Sequence, residues 1–158
     1  MYTDSKLIQE RIKEMGGRVD DIALRCSIEW NYGCLLDNND YDLWCREPQH
    51  FKIMYDSKES EDTGGWLDID VTRPSEYYKS SVENIIYPYK HKMSVGDYTF
   101  VCHNYEDRGG DGGFRGEIAI GDDVYEFDYP HELGFNEQVR IGVVNYDGSR
   151  LVLKKMYI

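Results

Sequence analysis

The stretch FRGEIAIGDDVYEFDY, residues 114–129, predicts a β-hairpin. Its two arms, 114–120 and 124–129, are rich in β-branched and aromatic residues, and the turn sequence GDD lies between them. Runs of this length that are joined by a short polar turn are typical of neighbouring antiparallel strands. The stretch therefore predicts an antiparallel sheet in the second half of the chain.

The same pattern of short strands continues along most of the chain, with about eight runs at even spacing. Residues 139–144 and 151–153 form a second predicted hairpin, which turns at Asp147 and Gly148. Many short, evenly spaced strands are typical of two packed sheets. We therefore predict an all-β fold, an antiparallel β-sandwich of the jelly-roll or immunoglobulin-like type.

The N-terminal residues differ from the rest and predict a helix. Apolar residues recur at helical spacing between Leu7 and Met15, and a pair of glycines follows them. A chain of 158 residues is long enough for one domain with a real hydrophobic core. We expect an N-terminal helix over residues 1–18, packed on a β-sandwich domain over residues 19–158.

The charge of the chain disfavours several classes of partner. Lysine and arginine together number 18 and aspartate and glutamate 30, which gives a formal net charge of −12. Direct binding to nucleic acid or to an anionic membrane needs a basic surface, so both are disfavoured. Cation binding, a basic protein partner and an acidic surface that imitates DNA are all compatible with this charge.

The four cysteines, Cys26, Cys34, Cys45 and Cys102, form no C-x-x-C pair, which disfavours zinc-knuckle and redox-motif sites. The N-terminus has no basic segment followed by an apolar one, and no apolar run approaches the length of a membrane span. These features together predict a cytoplasmic protein with free thiols.

Two short stretches each place a pair of aspartates beside a tryptophan. DYDLW contains Asp40 and Asp42, and WLDID contains Asp68 and Asp70. Alternate side chains of a strand share one face, so each pair is expected to point outward while the apolar residues point into the core. If the two strands are neighbours, the four carboxylates share one patch, and Glu83 is a further candidate.

An acidic patch of this kind needs positive charge nearby. Two carboxylates about 5 Å apart repel by roughly 3 kcal/mol at an effective dielectric constant of about 20. Ca²⁺ is the natural counter-ion, because it takes about six to eight hard oxygen ligands. The predicted Ca²⁺ ligands are Asp40, Asp42, Asp68, Asp70 and Glu83. The alternative is that the aspartates are solvated, pair with arginines, or accept hydrogen bonds from turn amides.

Aromatic residues are the second candidate feature, since the chain has 14 tyrosines and three tryptophans. Such residues either pack in the core and along strands or supply a contact surface for sugar rings or a protein partner. The candidate partner-binding residues are Trp44, Trp66, Tyr77, Tyr78, Tyr87 and Tyr89. The four tyrosines lie in or beside a predicted loop.

No catalytic motif is present in the sequence. The four histidines have no metal-ligand spacing, and no G-x-S-x-G sequence occurs. The favoured function is therefore a non-catalytic binding or interaction module with a protein partner. Two alternatives stay open: an acidic inhibitor-type protein, phage-encoded or imitating DNA, and a hydrolase whose site combines dispersed histidine and aspartate residues.

Four motifs in order give the chain a resemblance to a known family. DYDLW at 40–44 with Pro48, GGWLDID at 64–70, VENIIYP at 82–88 and GDYTFVCHNY at 96–105 carry it. They are similar to the D-x-D-L-H…P, G-G-x-L-D-x-D, V-E-N-I-x-W-P and G-x-Y-x-V-x-V-x-x-Y motifs of the YfaP-like family of uncharacterised bacterial and phage proteins. The resemblance covers nearly the whole chain.

The resemblance implies a β-sandwich domain of unknown biochemical function. It also implies that the acidic pairs, Glu83 and Asn84 belong to the family's signature, which favours a site over solvated side chains. This chain departs from the pattern at two positions, because Trp44 stands where the family usually has histidine and Tyr87 where tryptophan is usual. A function that depends on that histidine would be lost or altered here.

Overall fold

The computed structural model describes residues 5–31, 39–71, 80–106 and 112–158. Within these ranges the chain forms one α-helix and eleven strands, which make two antiparallel sheets packed as a β-sandwich. The predicted all-β sandwich with a short N-terminal helix is thus confirmed.

The elements are named in chain order. The helix is α1 (Ser5–Glu14), and the first six strands are β1 (Leu24–Trp30), β2 (Asp40–Arg46), β3 (Lys52–Ile53), β4 (Glu59–Ser60), β5 (Gly65–Ile69) and β6 (Ser81–Tyr87). A 3-10 turn (Lys90–Lys92) precedes β7 (Gly96–Glu106), β8 (Phe114–Ile120), β9 (Asp123–Tyr129), β10 (Gln138–Tyr146) and β11 (Leu151–Met156). Sheet A has the strand order β4-β5-β6-β1-β8-β9, and sheet B has the order β11-β10-β7-β2-β3.

Both predicted hairpins are present. β8 pairs with β9 along its whole length, and Gly121 opens the turn with φ +58°. β10 pairs with β11 as far as Tyr146 opposite Leu151. The structure has more strands than the eight or so predicted, partly because a strand as short as β4, with two residues, gives no periodic sequence signal.

The core lies between sheets A and B. Tyr41, Leu43 and Cys45 of β2 point into it, as predicted, and all three are fully buried. Alternate residues of β1, from Leu24 to Trp30, meet them from sheet A. Each large apolar side chain buried in this way stabilises the fold by about 1.5–3 kcal/mol. The apolar alternation of the strands therefore decides which face of each sheet is inside.

Helix α1 packs on the outer face of sheet A. Ile8 and Ile12 form a second apolar cluster with Ile69 of β5 and Val82 of β6. Gly16 follows the helix with φ +89°, a conformation that glycine adopts without strain. The apolar spacing of the N-terminal residues thus reflects a face that is buried against the sheet.

A buried polar network lies on the same outer face of sheet A. Arg25 donates hydrogen bonds to Glu117 at 2.5 Å and to Ser27 at 2.6 Å. Ser27 donates to Asn84 at 2.7 Å, and Asn84 donates to Asp68 at 2.9 Å. Because the network joins β1, β6 and β8 through hydrogen bonds, it helps to fix the register of these strands.

The described cysteines, Cys26, Cys45 and Cys102, are buried free thiols, and Cys34 lies outside the described residues. Burial raises the pKa of the Cys26 and Cys102 thiols, so both stay protonated at neutral pH. In the part of the chain that the structure describes, no helix combines the length and apolarity needed to cross a membrane.

Candidate metal site

Two aspartates of β2 meet a third carboxylate from the other sheet. Carboxylate oxygens of Asp40, Asp42 and Glu83 lie within 4.8 Å of one another. All three side chains are buried, with exposed fractions of 4%, 2% and 0%. At this spacing an ionised pair repels by roughly 3 kcal/mol at an effective dielectric constant of about 20. The structure thus brings three of the five predicted metal ligands together.

The local cause of this cluster is an open edge of β2. β2 pairs with β7 along its length but with β3 only at Cys45 and Arg46, so its first half has no second strand neighbour among the described residues. Glu83 of β6 reaches this edge and accepts a hydrogen bond from the Leu43 amide at 2.8 Å. A side chain from sheet A therefore accepts the backbone hydrogen bond that a neighbouring strand of sheet B would otherwise accept at this edge.

A β-bulge in β5 decides where the second pair of aspartates points. The register between β5 and β6 shifts between Leu67 and Ile69, so Asp68 is an extra residue on β5. Leu67 packs in the core, whereas Ile69 packs under α1. Asp70 follows on the inner side, where it interacts with Glu83. We call Asp40, Asp42, Asp70 and Glu83 together the acidic seam.

Asp68 lies outside the acidic seam. Its carboxylate accepts hydrogen bonds from the Arg18 amide at 2.8 Å and from Asn84 Nδ2 at 2.9 Å. The prediction that both acidic pairs point outward is wrong for Asp70, which the bulge turns toward Glu83, whereas Asp40 and Asp42 lie on the face of β2 opposite its core residues but are buried there. Asp40 and Asp42 are covered where Glu83 crosses to the edge of β2, and the bulge separates Asp68 from Asp70. The two strands are also in different sheets, so the carboxylates meet across the sandwich.

The seam is electrostatically unfavourable without protons or a cation. Burial, followed by repulsion from Asp40 and Asp70, raises the pKa of Asp42 to about 8. Burial is also the main cause that raises the pKa of Glu83, and the neighbouring Asp70 carboxyl adds to the effect. Asp42 Oδ2, Asp70 Oδ1 and Glu83 Oε2 are buried and receive no hydrogen bond from any N–H or hydroxyl group of the described residues.

One lysine, which the sequence reasoning did not single out, approaches the seam from solvent. Lys58 Nζ lies 3.5 Å from Asp70 Oδ2, and its side chain is 49% exposed. An exposed pair of this kind contributes only about 0–1 kcal/mol. Lys58 therefore offsets little of the negative charge of the seam.

The donor set of the seam fits a hard divalent cation. Every ligand atom is a carboxylate oxygen, and the group that converges most closely contains no histidine or cysteine. Ca²⁺, Mg²⁺ and Mn²⁺ prefer such oxygens, whereas Zn²⁺ sites usually include nitrogen or sulfur. The three oxygens that receive no hydrogen bond from the described part of the chain supply the lone pairs that coordination needs.

Trp44 is close to the seam but covered. Its ring stacks on His103 at a centroid distance of 4.5 Å, and Lys52 Nζ lies 3.9 Å from the ring centroid. Only 5% of the residue is exposed. Trp44 was predicted to contact a partner, but these neighbours cover its ring.

Tyr87 is fully buried, which rules out the predicted surface contact. Its hydroxyl donates to Glu47 Oε2 at 2.8 Å. Ser60 and Thr63 also donate to the Glu47 carboxylate, at 2.8 and 2.7 Å. Tyr87 lies four residues after Glu83 on β6, so both side chains face the interior of the sandwich. There the Tyr87 phenol packs in the core and bonds to Glu47.

The other candidate contact residues divide into two groups. Trp66 and Tyr89 are 40% and 50% exposed and line the same cleft, of about 340 Å³. Arg18 and Lys92 also line it, and sequence reasoning missed both because neither belongs to a motif. The remaining two, Tyr77 and Tyr78, lie outside the described residues.

The hydrolase alternative depends on a histidine beside a carboxylate. His103 lies directly opposite Asp42 in the β2–β7 ladder. Its Nε2 is 2.6 Å from Asn136 Oδ1, and its ring stacks on Trp44. Among the residues that the structure describes, no histidine forms an ion pair with aspartate or glutamate. In the described structure the His103 ring is thus engaged by Asn136 and Trp44.

Comparison with known proteins gives no match to this chain among family models, curated proteins or solved structures. The resemblance to the YfaP-like family therefore stays a prediction that the four sequence motifs alone carry. The geometry of the acidic seam is therefore the basis for proposing a function.

Proposed function

We propose that this chain is a non-catalytic binding module whose acidic seam holds a hard divalent cation, with Ca²⁺ the best fit. The observation that supports the proposal is that buried oxygens of Asp42, Asp70 and Glu83 receive no hydrogen bond from an N–H or hydroxyl group within residues 5–31, 39–71, 80–106 and 112–158. Burying such groups without compensation is unfavourable, and a divalent cation turns their mutual repulsion into attraction.

The role of the cation in this proposal is structural. Asp40 and Asp42 belong to sheet B, whereas Glu83 and Asp70 belong to or follow strands of sheet A. An ion between them joins the two sheets where β2 has its open edge. Cation binding would therefore stabilise the fold and hold this end of the sandwich in one geometry.

Ca²⁺ is favoured over Mg²⁺ by the kind of site. Four carboxylates from three separate segments make an irregular oxygen cage, and Ca²⁺ accepts irregular geometry and both monodentate and bidentate carboxylates. Mg²⁺ demands nearly ideal octahedral geometry and keeps several of its waters. We expect Ca²⁺ to stabilise the protein most and Mg²⁺ to stabilise it less. Zn²⁺ should have no advantage over these cations.

Thermal unfolding with excess cation and with chelator tests the proposal. Ca²⁺ at about 100 times Kd should stabilise the fold by roughly 2.7 kcal/mol, which is about 5 to 10 °C for a domain of this size. In the variant Asp42→Asn with Asp70→Asn the shift should disappear. Its melting temperature in chelator should rise, because two mutually repelling buried carboxylates have been neutralised.

Asp68→Asn is the matched control for this test. Asp68 lies on the same strand, two residues before Asp70, but bonds to Arg18 and Asn84. Its substitution should leave the Ca²⁺ shift intact, whatever it does to stability in chelator. If no cation of the series shifts the melting temperature, or if the shift survives in the Asp42 and Asp70 double variant, the proposal is wrong.

A further inference from the structure

We infer that the cleft between Trp66 and Tyr89 binds a neutral carbohydrate. The cleft has a volume of about 340 Å³ and lies at the start of β5, at the other end of the strand from Asp70. Both aromatic residues are well exposed, at 40% and 50%. Flat aromatic surfaces of this kind pack against the C–H face of a sugar ring and bury apolar area on both sides.

Rigid elements hold the two aromatic residues in place. Trp66 lies on β5 between Glu59 of β4 and Ile86 of β6. Tyr89 immediately precedes the 3-10 turn, and its carbonyl accepts a hydrogen bond from the Lys92 amide at 3.1 Å. Little conformational entropy is therefore lost when a ligand orders these residues, which favours binding.

A glycine, Gly64, forms part of the wall of the cleft. Gly64 has φ +73°, and a Cβ atom there would lie 3.6 Å from Lys92 Cδ and 3.7 Å from Tyr89 Cδ2. The added atom would project toward the side chains that line the cleft. With glycine at this position the backbone itself forms part of the wall, so a ligand can approach closely.

The charge of the lining selects the class of ligand. Arg18 and Lys92 supply two positive groups, and Glu59 and Glu61 supply two negative groups, so these four sum to zero although the whole chain carries −12. A charged ligand would meet like charges in this cleft. A sugar hydroxyl both donates and accepts hydrogen bonds, so a neutral carbohydrate satisfies both pairs of side chains.

A proline-rich peptide is the competing occupant, because such peptides also dock between exposed aromatic rings. Its backbone offers carbonyl acceptors and no proline N–H, so Glu59 and Glu61 would face it without donors. The volume of about 340 Å³ is also near the lower end of small-molecule sites. It suits a short segment of an oligosaccharide better than an extended chain.

Tryptophan indole N–H resonances in a ¹⁵N-labelled sample test the inference. Trp30 and Trp44 are 0% and 5% exposed, so a ligand in the cleft should shift the Trp66 resonance and leave the other two in place. The probes are cellohexaose, chitohexaose and mannohexaose, with decaproline as the competing ligand. We expect at least one oligosaccharide to shift Trp66 with a saturable dependence on concentration.

Variants complete the experiment. Trp66→Ala and Tyr89→Ala should each weaken binding of the active oligosaccharide by about tenfold or more. Because Trp66→Ala removes the indole resonance, its binding is measured by calorimetry. Tyr125→Ala is the matched control, since Tyr125 is 38% exposed on β9 and does not line the cleft. The inference is overturned if no oligosaccharide shifts Trp66 at millimolar concentration, if decaproline does so instead, or if Tyr89→Ala binds as the native protein does.

The carbohydrate site does not depend on the cation site. The titration is repeated in the Asp42→Asn and Asp70→Asn double variant, where the resonances of Trp30 and Trp44 report whether the fold is intact. A carbohydrate response that persists there supports the cleft regardless of how the acidic seam behaves.

Discussion

The Leu43 amide of β2 donates a hydrogen bond to Glu83 of β6 at 2.8 Å, so a backbone group of one sheet is satisfied by a side chain of the other. The two sheets otherwise meet mainly through apolar residues. This bond holds the Glu83 carboxylate at the open edge of β2, beside Asp40 and Asp42. Because Glu83 both accepts a backbone hydrogen bond and carries charge in the acidic seam, substitutions that remove one role or both should change the stability of the fold differently.

Glu83→Gln and Glu83→Ala separate these two roles. Glutamine keeps an acceptor for the Leu43 amide and removes a buried charge, so the cation-free protein should become more stable. Alanine leaves the amide without an acceptor and should be about 1–3 kcal/mol less stable than the glutamine variant. Urea unfolding in the presence of chelator measures both values, and equal stability of the two variants would contradict the role given to Leu43.

The raised pKa of Asp42 predicts how stability depends on pH in chelator. The pKa of Asp42 is about 8 in the folded protein and about 3.9 in the unfolded chain. Its contribution to stability is therefore fully present below about pH 4 and is lost as the pH rises through about 8. Asp42→Asn should flatten the fall in unfolding free energy between these limits, and denaturation at a series of pH values checks this.

Cation binding should show the opposite trend with pH. Protons compete with the cation for the Asp42 carboxylate, whose pKa is about 8. If one proton is displaced, the apparent affinity should fall about tenfold for each pH unit below that value. Calorimetry in two buffers of different ionisation enthalpy measures the protons released. An affinity for Ca²⁺ that does not change between about pH 6 and 8 would contradict this account of the seam.

Tyr87→Phe tests the buried hydroxyl in the core. The phenol donates to Glu47 at 2.8 Å, so its removal takes one donor from a buried carboxylate. We expect a loss of about 1–3 kcal/mol in the free energy of unfolding. Tyr89→Phe is the matched control, because Tyr89 is half exposed, and it should change stability by less than about 0.5 kcal/mol.

Arg25 and Glu117 form an ion pair that is almost completely buried, with exposed fractions of 2% and 0%. Arg25→Met alone removes the buried cation that pairs with the Glu117 carboxylate, and it should destabilise the fold by about 3–5 kcal/mol. Adding Glu117→Leu removes that charge, so the double variant should recover much of the loss. Chemical unfolding of the native protein, the two single variants and the double variant gives the coupling energy between Arg25 and Glu117. Additive effects of the two substitutions would contradict this account of the pair.

Local sequence patterns were sufficient for much of the fold. The alternation in Phe114–Ile120 and the turn that follows it predict the β8–β9 hairpin, because side chains in a strand alternate strictly between its two faces. Helical spacing likewise predicts that Ile8 and Ile12 face the sheet, although Leu7 and Met15, which share the spacing, are exposed. β4 carried no such signal, since two residues cannot show a period.

The sequence by itself determined that β2 and β5 carry paired aspartates, since strand periodicity and residue identity are local properties. Tertiary structure alone decided which carboxylates meet. The bulge at Asp68 sends Asp68 toward Arg18 and Asp70 toward Glu83, and strict alternation would have kept them on one face. Whether β2 has an open edge depends on where β3 and β6 pass in space, and no pattern within β2 encodes that.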